Sequence, residues 1–452
     1  MNFRRITKLS CLSHFQFIYL SGQLKYYMEY KKRIADGLLR DKLDAMGAIL
    51  IEGPKACGKT TTAEQVAGSV LYMDDPDKTE TYLQLVDTNI KLLLDGDTPR
   101  LIDEWQIAPR FWDAIRHEVD RRDEDGQFIL TGSAVPADSE KIFHSGAARY
   151  GFLTMRTMSL WESGESSGSV SLGQLFQDAS VLEGKSSISI EDLAFLTCSG
   201  GWPRATKKKT RKAALTIADE YYKAITRTDI SRADGVSRDE ERAKRIMRSY
   251  ARQQGSQATI PTILADISSN EQVGISDETI ASYVRALKKI FVIEDMKAWN
   301  PNLRSKTAIR TSDTRYYTDP SIAVAALGVG PKDLLNDPNT FGLLFETMAV
   351  RDLRVYADSL GGDVYHFRDK EGLECDAVVH LRNGSYGLVE IKLGGDSLIK
   401  EGVSTLTELA SRIDTEKMKK PSFLMVLTGI GEYPYRRAED GVLVVPIGCL
   451  KD

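Results

Sequence analysis

Four residues near the start of the chain have the types and the spacing of a phosphate-binding loop. Gly53, Gly58, Lys59 and Thr60 stand in IEGPKACGKTT, residues 51–61, and fit the pattern G-x-x-x-x-G-K-[ST]. A strand-like run, AILI, precedes the loop, and a helix-like run, TTTAEQVAGSV, follows it. In that context backbone N–H groups cradle phosphates. The predicted nucleotide-contacting residues are Gly53, Pro54, Lys55, Ala56, Cys57, Gly58, Lys59, Thr60 and Thr61.

Within this loop, Lys59 is predicted to reach the β- and γ-phosphates and the Thr60 hydroxyl to ligate Mg²⁺. Two alternatives stay open. A glycine-rich turn can simply connect a strand to a helix, without binding a ligand. Cys57 is either a small space-filling residue or an oxidisable regulatory thiol, because thiol reactivity depends on a lowered pKa that a sequence does not show.

A phosphate-binding loop of this kind needs an acidic partner to hold Mg²⁺. The stretch RLIDEWQ places Asp103 and Glu104 after an apolar run, 44 residues beyond Lys59. Asp103 is the predicted Mg²⁺ partner. Glu104 is predicted to orient and deprotonate the attacking water, which favours hydrolysis over phosphoryl transfer to a small acceptor. An apolar run followed by two acids is common, so the pair gains meaning from its place after the loop.

A third strand-like stretch, FILTGSA at residues 128–134, ends in small polar residues. Such residues face the crevice at the carboxyl end of an open parallel sheet, so Ser133 or Thr131 is predicted to sense the γ-phosphate or to position water. Arg149 and Arg156 follow as available cations for phosphoryl charge. Arg149 is the predicted finger, in cis or on a neighbouring subunit, although such an arginine is usually a solvated or paired surface residue.

A second group of chemically capable residues lies in the C-terminal part. A helix-like stretch precedes three strand-like runs, DVYHFRD, ECDAVVHL and SYGLVEIKLG. Asp376 stands in the second run, and Glu390 and Lys392 stand two apart in the third, so they are predicted to share one sheet face. Asp376 and Glu390, with Glu346 on the helix, are the predicted Mg²⁺ ligands. Lys392 would orient water or stabilise phosphoryl charge. Alternating charges on a strand can also serve solubility alone.

The elements that must position these residues belong to a chain of ordinary composition. Of its 452 residues, 42% are hydrophobic and 27% are charged, which is close to globular averages. This length predicts about two to four domains. No apolar run is long enough to span a membrane. Five scattered cysteines favour a reducing cytoplasm over a disulfide framework or a zinc finger. With a net charge of −4, any contact with nucleic acid must be local.

The middle of the chain changes composition twice. Residues 163–189 are rich in Ser and Gly and predict a surface excursion or hinge. Residues 201–254 then hold fifteen Lys or Arg against seven Asp or Glu. Such a run is usually the solvated face of helices. Two short predicted helices and an extended run follow it, however, which is the pattern of a winged helix-turn-helix.

The second of these predicted helices has the charge distribution that DNA contact requires. Ser276 is its predicted N-cap. An apolar stripe faces inward while basic residues face outward, which suits the major groove. The same module often serves for protein contacts only, so both interpretations stay open. The stripe consists of Ile280, Val284 and Leu287, and the basic residues are Arg285, Lys288 and Lys289.

Four stretches in this order, GPKACGKTT, LIDEWQ, LTGSA and GAARYGFLTMRTMSLWE, resemble AAA-type ATPases of bacteria and archaea. These ATPases have a C-terminal domain of unknown function with a restriction-endonuclease-like fold. The resemblance extends from about residue 28 to about residue 400, and its first two motifs are the most specific. The preference for ATP rests on this resemblance. It implies phosphate and Mg²⁺ binding by Lys59 and Thr60, a Walker B pair of Asp103 and Glu104, a sensor position for Ser133, and the family's arginine at Arg149.

The C-terminal residues resemble the PD-(D/E)xK nuclease superfamily. The resemblance rests on their order: Glu346 on a helix, Asp376 in GLECD, and then Glu390 and Lys392 in GLVEIKLG. The leading Pro of the nominal motif is absent, because Cys375 precedes Asp376. The resemblance implies a nuclease-like fold that either cleaves DNA or persists as a binding or assembly module.

Together these patterns predict an α/β fold class: a P-loop AAA-type ATPase core, a helical and winged-helix middle region, and a C-terminal restriction-endonuclease-like α/β domain. Met28 opens a better helix start than Met1, so the first residues are predicted to be a poorly ordered extension or a start placed too early. The predicted segments are 1–27 (extension), 28–165 (ATPase), 166–235 (linker and basic helices), 236–300 (winged helix-turn-helix-like) and 301–452 (nuclease-like).

The predicted function is Mg²⁺-dependent ATP hydrolysis coupled to action on DNA through the nuclease-like domain. The predicted setting is cytoplasmic, with no membrane partner. A finger supplied between subunits would require a homo-oligomer. The alternative is a nucleotide-gated interaction or assembly protein whose nuclease-like fold is catalytically inactive.

Overall fold

Two β-sheets, one in each half of the chain, organise the structure. It is a computed structural model that describes residues 15–20, 23–28, 30–133, 146–179, 182–270, 274–304 and 309–452. The remainder of the predicted extension 1–27 lies outside the described residues. In the described part of this extension, strand β1 (Phe15–Leu20) pairs antiparallel with strand β2 (Gln23–Met28). The helix expected from Met28 begins instead at Ile34.

A five-stranded parallel sheet forms the core of the N-terminal half, in the order β4-β5-β6-β3-β7. Alternate residues of its interior strand β3 enter two different hydrophobic clusters: Ala48 and Leu50 on one face, Ile49 and Ile51 on the other. Helices cover both faces, which explains the continuous apolar runs. The elements are α1 (Ile34–Leu43), β3 (Ala48–Glu52), α2 (Lys59–Glu64), β4 (Ser69–Tyr72), α3 (Thr79–Asn89), α4 (Lys91–Leu94), β5 (Arg100–Asp103), α5 (Phe111–Arg122), β6 (Phe128–Gly132) and β7 (Tyr150–Thr154).

Helices dominate the middle of the chain. They include a five-residue π-helix, Ile225–Asp229, between two α-helices. After the last helix of the middle group, Ile293 bridges to Tyr317 and Met296 bridges to Thr314. The elements are α6 (Leu160–Ser163), β8 (Val170–Ser171), α7 (Leu172–Gln177), α8 (Ile190–Ser199), α9 (Arg211–Ala224), α10 (Ile230–Arg232), α11 (Glu240–Arg252), α12 (Ile260–Asn270), α13 (Asp277–Lys289), α14 (Pro320–Leu327) and α15 (Pro331–Asn336).

A six-stranded mixed sheet organises the C-terminal part, in the order β13-β14-β12-β11-β10-β9. Strands β9, β10 and β11 are antiparallel, whereas β11, β12 and β14 are parallel. The helix and three strands expected from the sequence are confirmed. The elements are α16 (Pro338–Ser359), β9 (Gly362–Arg368), β10 (Glu374–Leu381), β11 (Tyr386–Lys392), α17 (Asp396–Arg412), β12 (Phe423–Thr428), β13 (Tyr435–Arg436), β14 (Leu443–Pro446) and β15 (Leu450–Lys451).

The Ser- and Gly-rich stretch, predicted to be a surface excursion or hinge, has many exposed residues but is also anchored to the C-terminal part. Strand β8 pairs parallel with β15. The Ser166 hydroxyl donates to the Leu450 carbonyl at 2.7 Å, and Val170 and Leu172 are buried. One hydrophobic cluster extends from Leu160 to Leu450. Ser and Gly reflect tight packing here, because small side chains let two backbones approach.

Candidate functional site

The phosphate-binding loop connects strand β3, which lies between β6 and β7, to helix α2. Gly53 has φ +148°, and a Cβ there would lie 2.0 Å from the Met155 carbonyl oxygen, so only glycine fits. Gly58 has φ +108° and turns the chain into the helix that begins at Lys59. Cys57 is fully buried, with its sulfur 3.5 Å from the Met155 carbonyl oxygen, which is the position of a space-filling residue.

Lys59 folds back over its own loop. Its ammonium is buried and donates to the carbonyl oxygens of Gly53 and Pro54, both at 2.9 Å. Both partners are neutral backbone groups, and among the residues that the structure describes no carboxylate forms an ion pair with this ammonium. An ammonium held in this way is available to anionic phosphate oxygens at the same loop.

The Thr60 hydroxyl and the Asp103 carboxylate meet at the carboxyl edge of the sheet. Thr60 donates to Asp103 at 2.8 Å, and Thr131, at the end of β6, donates to the same carboxylate oxygen. Mg²⁺ prefers hard oxygen ligands and is usually held by one or two carboxylates together with substrate phosphates. This donor pair fits that requirement. Thr131, which lies near the end of the neighbouring strand β6, therefore helps to orient the Asp103 carboxylate.

Glu104 has an unusual backbone conformation. Its φ is +55°, in the left-handed region that non-glycine residues seldom adopt and that often marks functional sites. Its carboxylate accepts hydrogen bonds from the Gln106 amide and, at 3.3 Å, from the Ser133 hydroxyl. The side-chain amide oxygen of Gln106, Oε1, is buried and has no hydrogen-bond partner among the described residues.

A cavity of about 440 Å³ opens beside this acid, in the range of small-molecule sites. It lies between the parallel sheet and the middle helices, which contribute Tyr221, Asp229 and Arg232. Asp229, the last residue of the π-helix, lies 3.6 Å from Lys55 of the loop. Sequence reasoning gave no role to Gln106, although it ends the motif LIDEWQ, and it missed Asp229 and Arg232, which lie outside the motifs.

Arg232 is a free cation at this cavity. Its side chain is exposed, and in the described part of the chain no carboxylate pairs with it. Arg149, the predicted finger, lies at the opposite edge of the sheet. It immediately precedes β7, whose first residue is in register with the first residue of β3, and it pairs with Asp120 at 2.7 Å. The prediction that Arg149 acts in cis is therefore wrong, because the loop follows the other end of β3. A finger on a neighbouring subunit stays a prediction.

The second candidate site lies on the C-terminal sheet. Asp376 stands where β10 slips register against β9, at a bulge that redirects its side chain. Its carboxylate accepts the Ile391 backbone N–H at 2.7 Å and the Lys392 ammonium at 3.4 Å. Lys392 also contacts Glu390 at 2.8 Å. The structure thus brings the three side chains of β10 and β11 together.

Glu346 joins this acidic cluster from α16. It accepts a hydrogen bond from the Tyr316 hydroxyl and lines a cavity of about 20 Å³ with Asp376. Burial, with the neighbouring Asp376 charge, raises the pKa of Glu346 to about 8. The same two causes raise the pKa of Glu390 well above its usual range. Burial acts to lower the pKa of Lys392, but Asp376 and Glu390 outweigh it and raise that pKa.

The predicted metal site formed by Asp376, Glu390 and Glu346 needs correction. Across the described residues, no group of three or more His, Cys, Asp or Glu side chains is arranged to hold a metal ion. The physical reason is the Lys392 ammonium, which contacts two of the three carboxyl groups and occupies oxygen atoms that a metal ion would need. The residues meet as predicted, but as a charge-paired cluster.

The basic helix α13 has the predicted orientation. The Ser276 hydroxyl accepts from the Thr279 N–H at 3.2 Å, which confirms the N-cap. Ile280, Val284 and Leu287 are buried, also as predicted. Arg285 and Lys288 are exposed, but each pairs with an acid: Arg285 with Glu278 at 2.7 Å, and Lys288 with Asp295 at 2.7 Å. Lys289 is partly exposed.

No helix among the described residues is long and apolar enough to cross a membrane. Family comparisons divide the chain into three matched segments. Residues 46–163 match the AAA domain family, residues 190–333 match a domain of unknown function (DUF8612), and residues 341–450 match another domain of unknown function (DUF4143).

The relatives are distant. Two uncharacterized proteins, from Mycobacterium tuberculosis (strain H37Rv) and Mycobacterium bovis, are each 21% identical over 384 residues, which is 84% of this chain and 78% of theirs. A Walker-type ATPase of Pyrococcus abyssi is 12% identical, over 66% of this chain and 96% of that one, with a TM-score of 0.40. A Drosophila ORC structure bound to DNA is 14% identical, over 65% of this chain and 85% of that one, with a TM-score of 0.19. These two scores are too low to support an argument.

The AAA match covers the segment that holds both the phosphate-binding loop and the acidic pair. The parallel sheet places both motifs at the carboxyl ends of its strands, where the Thr60 hydroxyl donates a hydrogen bond to the Asp103 carboxylate. Family match and geometry therefore support an AAA-type P-loop ATPase domain in this chain, followed by segments from two domain families of unknown function.

Proposed function

We propose that the chain binds ATP with Mg²⁺ at the loop of residues 53–60 and hydrolyses it. The observation that supports this most directly is the contact of 2.8 Å between the Thr60 hydroxyl and the Asp103 carboxylate. It joins the two motifs that a P-loop hydrolase needs at one point, beside an acid that can act on water. A loop that only connected a strand to a helix would not require this contact.

Each residue has a separate task in this proposal. Lys59 exchanges its two carbonyl partners for phosphate oxygens, and Thr60 with Asp103 would hold Mg²⁺, which neutralises phosphate charge when bound. Glu104 accepts the proton of the attacking water. Gln106 and Ser133 fix the Glu104 carboxylate.

Arg232 is the cation that we propose for the phosphoryl group in cis. It lines the same cavity as Glu104 and Ser133, and it is free of carboxylate partners in the described ranges. A positioned arginine stabilises the charge that develops in phosphoryl transfer. Arg232→Ala is expected to lower the turnover number while nucleotide binding persists. Exposed Arg204→Ala, which lies outside the cavity lining, is the matched control.

Phosphate release by the purified protein with Mg²⁺ and ATP tests the ATPase proposal. Lys59→Ala is expected to lose nucleotide binding, because the ammonium that faces the phosphates is removed. Lys91→Ala, on an exposed face of α4, should behave as the parent protein. Normal ATP binding by the Lys59 variant would contradict the assignment of the loop.

We infer action on DNA as the finer function. Helices α11, α12 and α13, followed by the bridges at Ile293 and Met296, fit a winged helix-turn-helix, and α13 exposes basic side chains. The order of helix, three strands, helix and strand from α16 to β12, with Asp376, Glu390 and Lys392 in contact, fits a nuclease-like domain. Both features support a DNA-directed ATPase.

One observation favours the alternative, a nucleotide-gated interaction protein with an inactive nuclease-like fold. The Lys392 ammonium pairs with both strand carboxylates, and no metal-binding group is found among the described side chains. The residues as arranged do not fit a divalent ion, so no cleavage step is assigned to them. In this alternative the C-terminal cluster is a structural charge network.

A single assay separates the two functions. ATP hydrolysis is measured with Mg²⁺, with and without single-stranded, duplex and branched DNA, and strand cleavage is scored in the same tubes. Stimulation of turnover by one DNA form supports the DNA-directed ATPase. Cleavage that disappears in Asp376→Asn, with ATP turnover retained, would assign the nuclease to the acidic cluster. Turnover indifferent to every DNA form, without cleavage, favours the interaction protein.

The basic helix is tested separately. The triple variant Arg285→Glu, Lys288→Glu and Lys289→Glu is expected to weaken DNA binding and to flatten its salt dependence, because fewer phosphate counterions are released. Lys400→Glu, exposed on α17, is the control for a change in net charge. Unchanged binding by the triple variant would remove α13 from the DNA interface.

A further inference from the structure

Helix α16 is a rigid connection between the two candidate sites. It is 22 residues long, and most of its side chains are buried. Glu346, in its first half, belongs to the acidic cluster, while Asp358 lies near its end, about 18 Å away along the axis. A movement at one end of such a helix reaches the other end, because a packed helix shifts as a unit.

Two buried arginines connect the phosphate-binding loop to this helix. Arg33 donates to the Cys57 carbonyl of the loop and to the Arg156 carbonyl, both at 2.9 Å. Its third partner is Glu162, at 3.0 Å. Arg156 follows strand β7, where Met155 donates its N–H to the Glu52 carbonyl at 2.7 Å. The loop and the segment after β7 are therefore held by one guanidinium.

The Arg156 side chain joins three parts of the chain. Its guanidinium contacts Glu294, which follows the middle helices, at 2.8 Å and Asp358 of α16 at 2.5 Å. Burial works against the charge of Arg156, but Glu294 and Asp358 outweigh it and raise its pKa. The Arg156 side chain is 9% exposed while Glu294 and Asp358 are 28% and 30% exposed, so leaving this arginine without its partners is costly and the network favours discrete arrangements.

The network continues to the acidic cluster. Arg354 donates to the Glu294 carbonyl at 2.9 Å, and its guanidinium lies 5.8 Å from the centre of the Tyr316 ring. Tyr316 in turn donates its hydroxyl to Glu346. Both partners of Glu294 thus lead to the same carboxyl group: Arg354 through Tyr316, and Arg156 through α16.

We propose that Arg156 is a positioning residue through which the nucleotide state of the loop sets the placement of Glu346 in the acidic cluster. The proposal rests on ATP binding at residues 53–60. Phosphates drawn into the loop change the carbonyl positions that Arg33 holds, and Arg156 passes that change to Glu294 and Asp358 together. The placement of Glu346 in the acidic cluster then depends on whether nucleotide is bound, whether the cluster acts on DNA or on a protein.

Hydrogen exchange of backbone amides tests this coupling in the full chain, with and without Mg²⁺ and the non-hydrolysable analogue AMP-PNP. The parent protein should show protection of residues 53–60 and an exchange change of about fivefold or more at residues 343–348 and 374–378, the lower end of usual site-to-site coupling. In Arg156→Gln, protection of the loop should persist while the distant change disappears. Arg156→Lys should restore part of it.

Arg238→Gln is the matched control. Arg238 is as buried as the network arginines and pairs with Asp234 at 2.6 Å, but it lies outside the network. This variant should lose stability and keep the distant response. A response that persists in Arg156→Gln, or that is absent from the parent protein while its loop is protected, would overturn the coupling. A loop without protection would overturn the ATP proposal as well.

A milder variant keeps the test informative if Arg156→Gln does not fold. Tyr316→Phe removes only the hydroxyl that donates to Glu346. It should leave the response of residues 353–358 to AMP-PNP intact and reduce that of residues 343–348, because α16 is then the remaining route to Glu346. An unchanged response at both ends would exclude Tyr316 and, with a folded Asp358→Asn variant that also responds normally, the whole network.

Discussion

The two acidic sites of the molecule differ in what balances their charges. At the P-loop site Asp103 is held by two hydroxyl groups, Glu104 by an amide and a hydroxyl, and Lys59 by backbone carbonyls. At the C-terminal site the Lys392 ammonium binds both Asp376 and Glu390. The first site opens on a cavity of about 440 Å³, whereas the second adjoins one of about 20 Å³.

This difference separates readiness for a ligand from internal stability. A charged side chain whose partners are neutral can exchange those partners for phosphate or a metal ion at little cost in free energy, because no buried ion pair is broken. Charges that balance one another are already satisfied, and removing one of them leaves the other buried and uncompensated. Substitution of the same residue types is therefore expected to reduce activity at the first site and to reduce folding stability at the second.

The largest expected effect separates chemistry from binding at the P-loop. Glu104→Gln should bind ATP and lower the turnover number by on the order of 10²–10⁴-fold, because the amide cannot accept the proton of water. Single-turnover phosphate release, with binding measured by a fluorescent ATP analogue, checks both. Glu80→Gln, exposed on α3, should turn over normally. Normal turnover by Glu104→Gln would exclude Glu104 as the base.

Removing the lysine from each site tests the comparison directly. Lys392→Met leaves Asp376 and Glu390 without a counter-charge and should cost about 3–5 kcal/mol of unfolding free energy. Lys59→Met removes partners only from two carbonyls and should cost about 1 kcal/mol or less. Urea unfolding followed by circular dichroism measures both. Equal costs would show that the two sites do not differ in charge balance.

Stability should also depend on pH through Glu346. Its pKa is about 8 in the folded protein against a usual 4.5, so the folded state binds the proton more tightly than the unfolded chain. Stability then falls as pH rises from 4.5 to 8, by up to about 1.4 kcal/mol per unit. Glu346→Gln should flatten this slope in urea unfolding, and exposed Glu416→Gln should not. A slope that survives in Glu346→Gln would assign it to other groups.

The smallest expected effect concerns Arg149. Its pair with Asp120 is exposed, so Arg149→Ala should cost about 0–1 kcal/mol of stability. Turnover of the isolated chain should stay at the parent level, because Arg149 lies at the wrong sheet edge for its own loop. A loss in turnover that appears only as protein concentration rises would instead identify a finger acting between subunits.

The P-loop site could be predicted from sequence because its determinants are local. Gly53, Gly58 and Lys59 lie in one short loop, and the turn requires their types. The contact between Asp103 and Thr60 follows from two parallel strands, β5 and β3, whose carboxyl ends lie on either side of β6. Arg232 could not be predicted, since a single charge on a three-residue helix has no pattern and reaches the cavity only through packing of the middle helices.

The sequence was enough to predict which residues meet in the C-terminal cluster, but not how their charges pair. The period of two along β11 places Glu390 beside Lys392, and the order of elements brings Asp376 to them. Sequence does not tell whether the lysine faces solvent or pairs with both acids, because that depends on burial. Arg149 shows the same limit. It was predicted as an available cation and from the family resemblance, but its place before β7 sets it at the far end of the strands from the loop.

The pairing of β8 with β15 has a consequence for how the protein is made. Ser166 and its partner Leu450 are 284 residues apart in the chain. At about 5–20 residues per second, translation takes roughly 15–60 s to produce the second after the first. The parallel sheet is complete by Thr154 and can fold during that interval, while the segment after it waits with its apolar side chains uncovered. Nascent chains stalled between these points should therefore be the ones that chaperones hold longest.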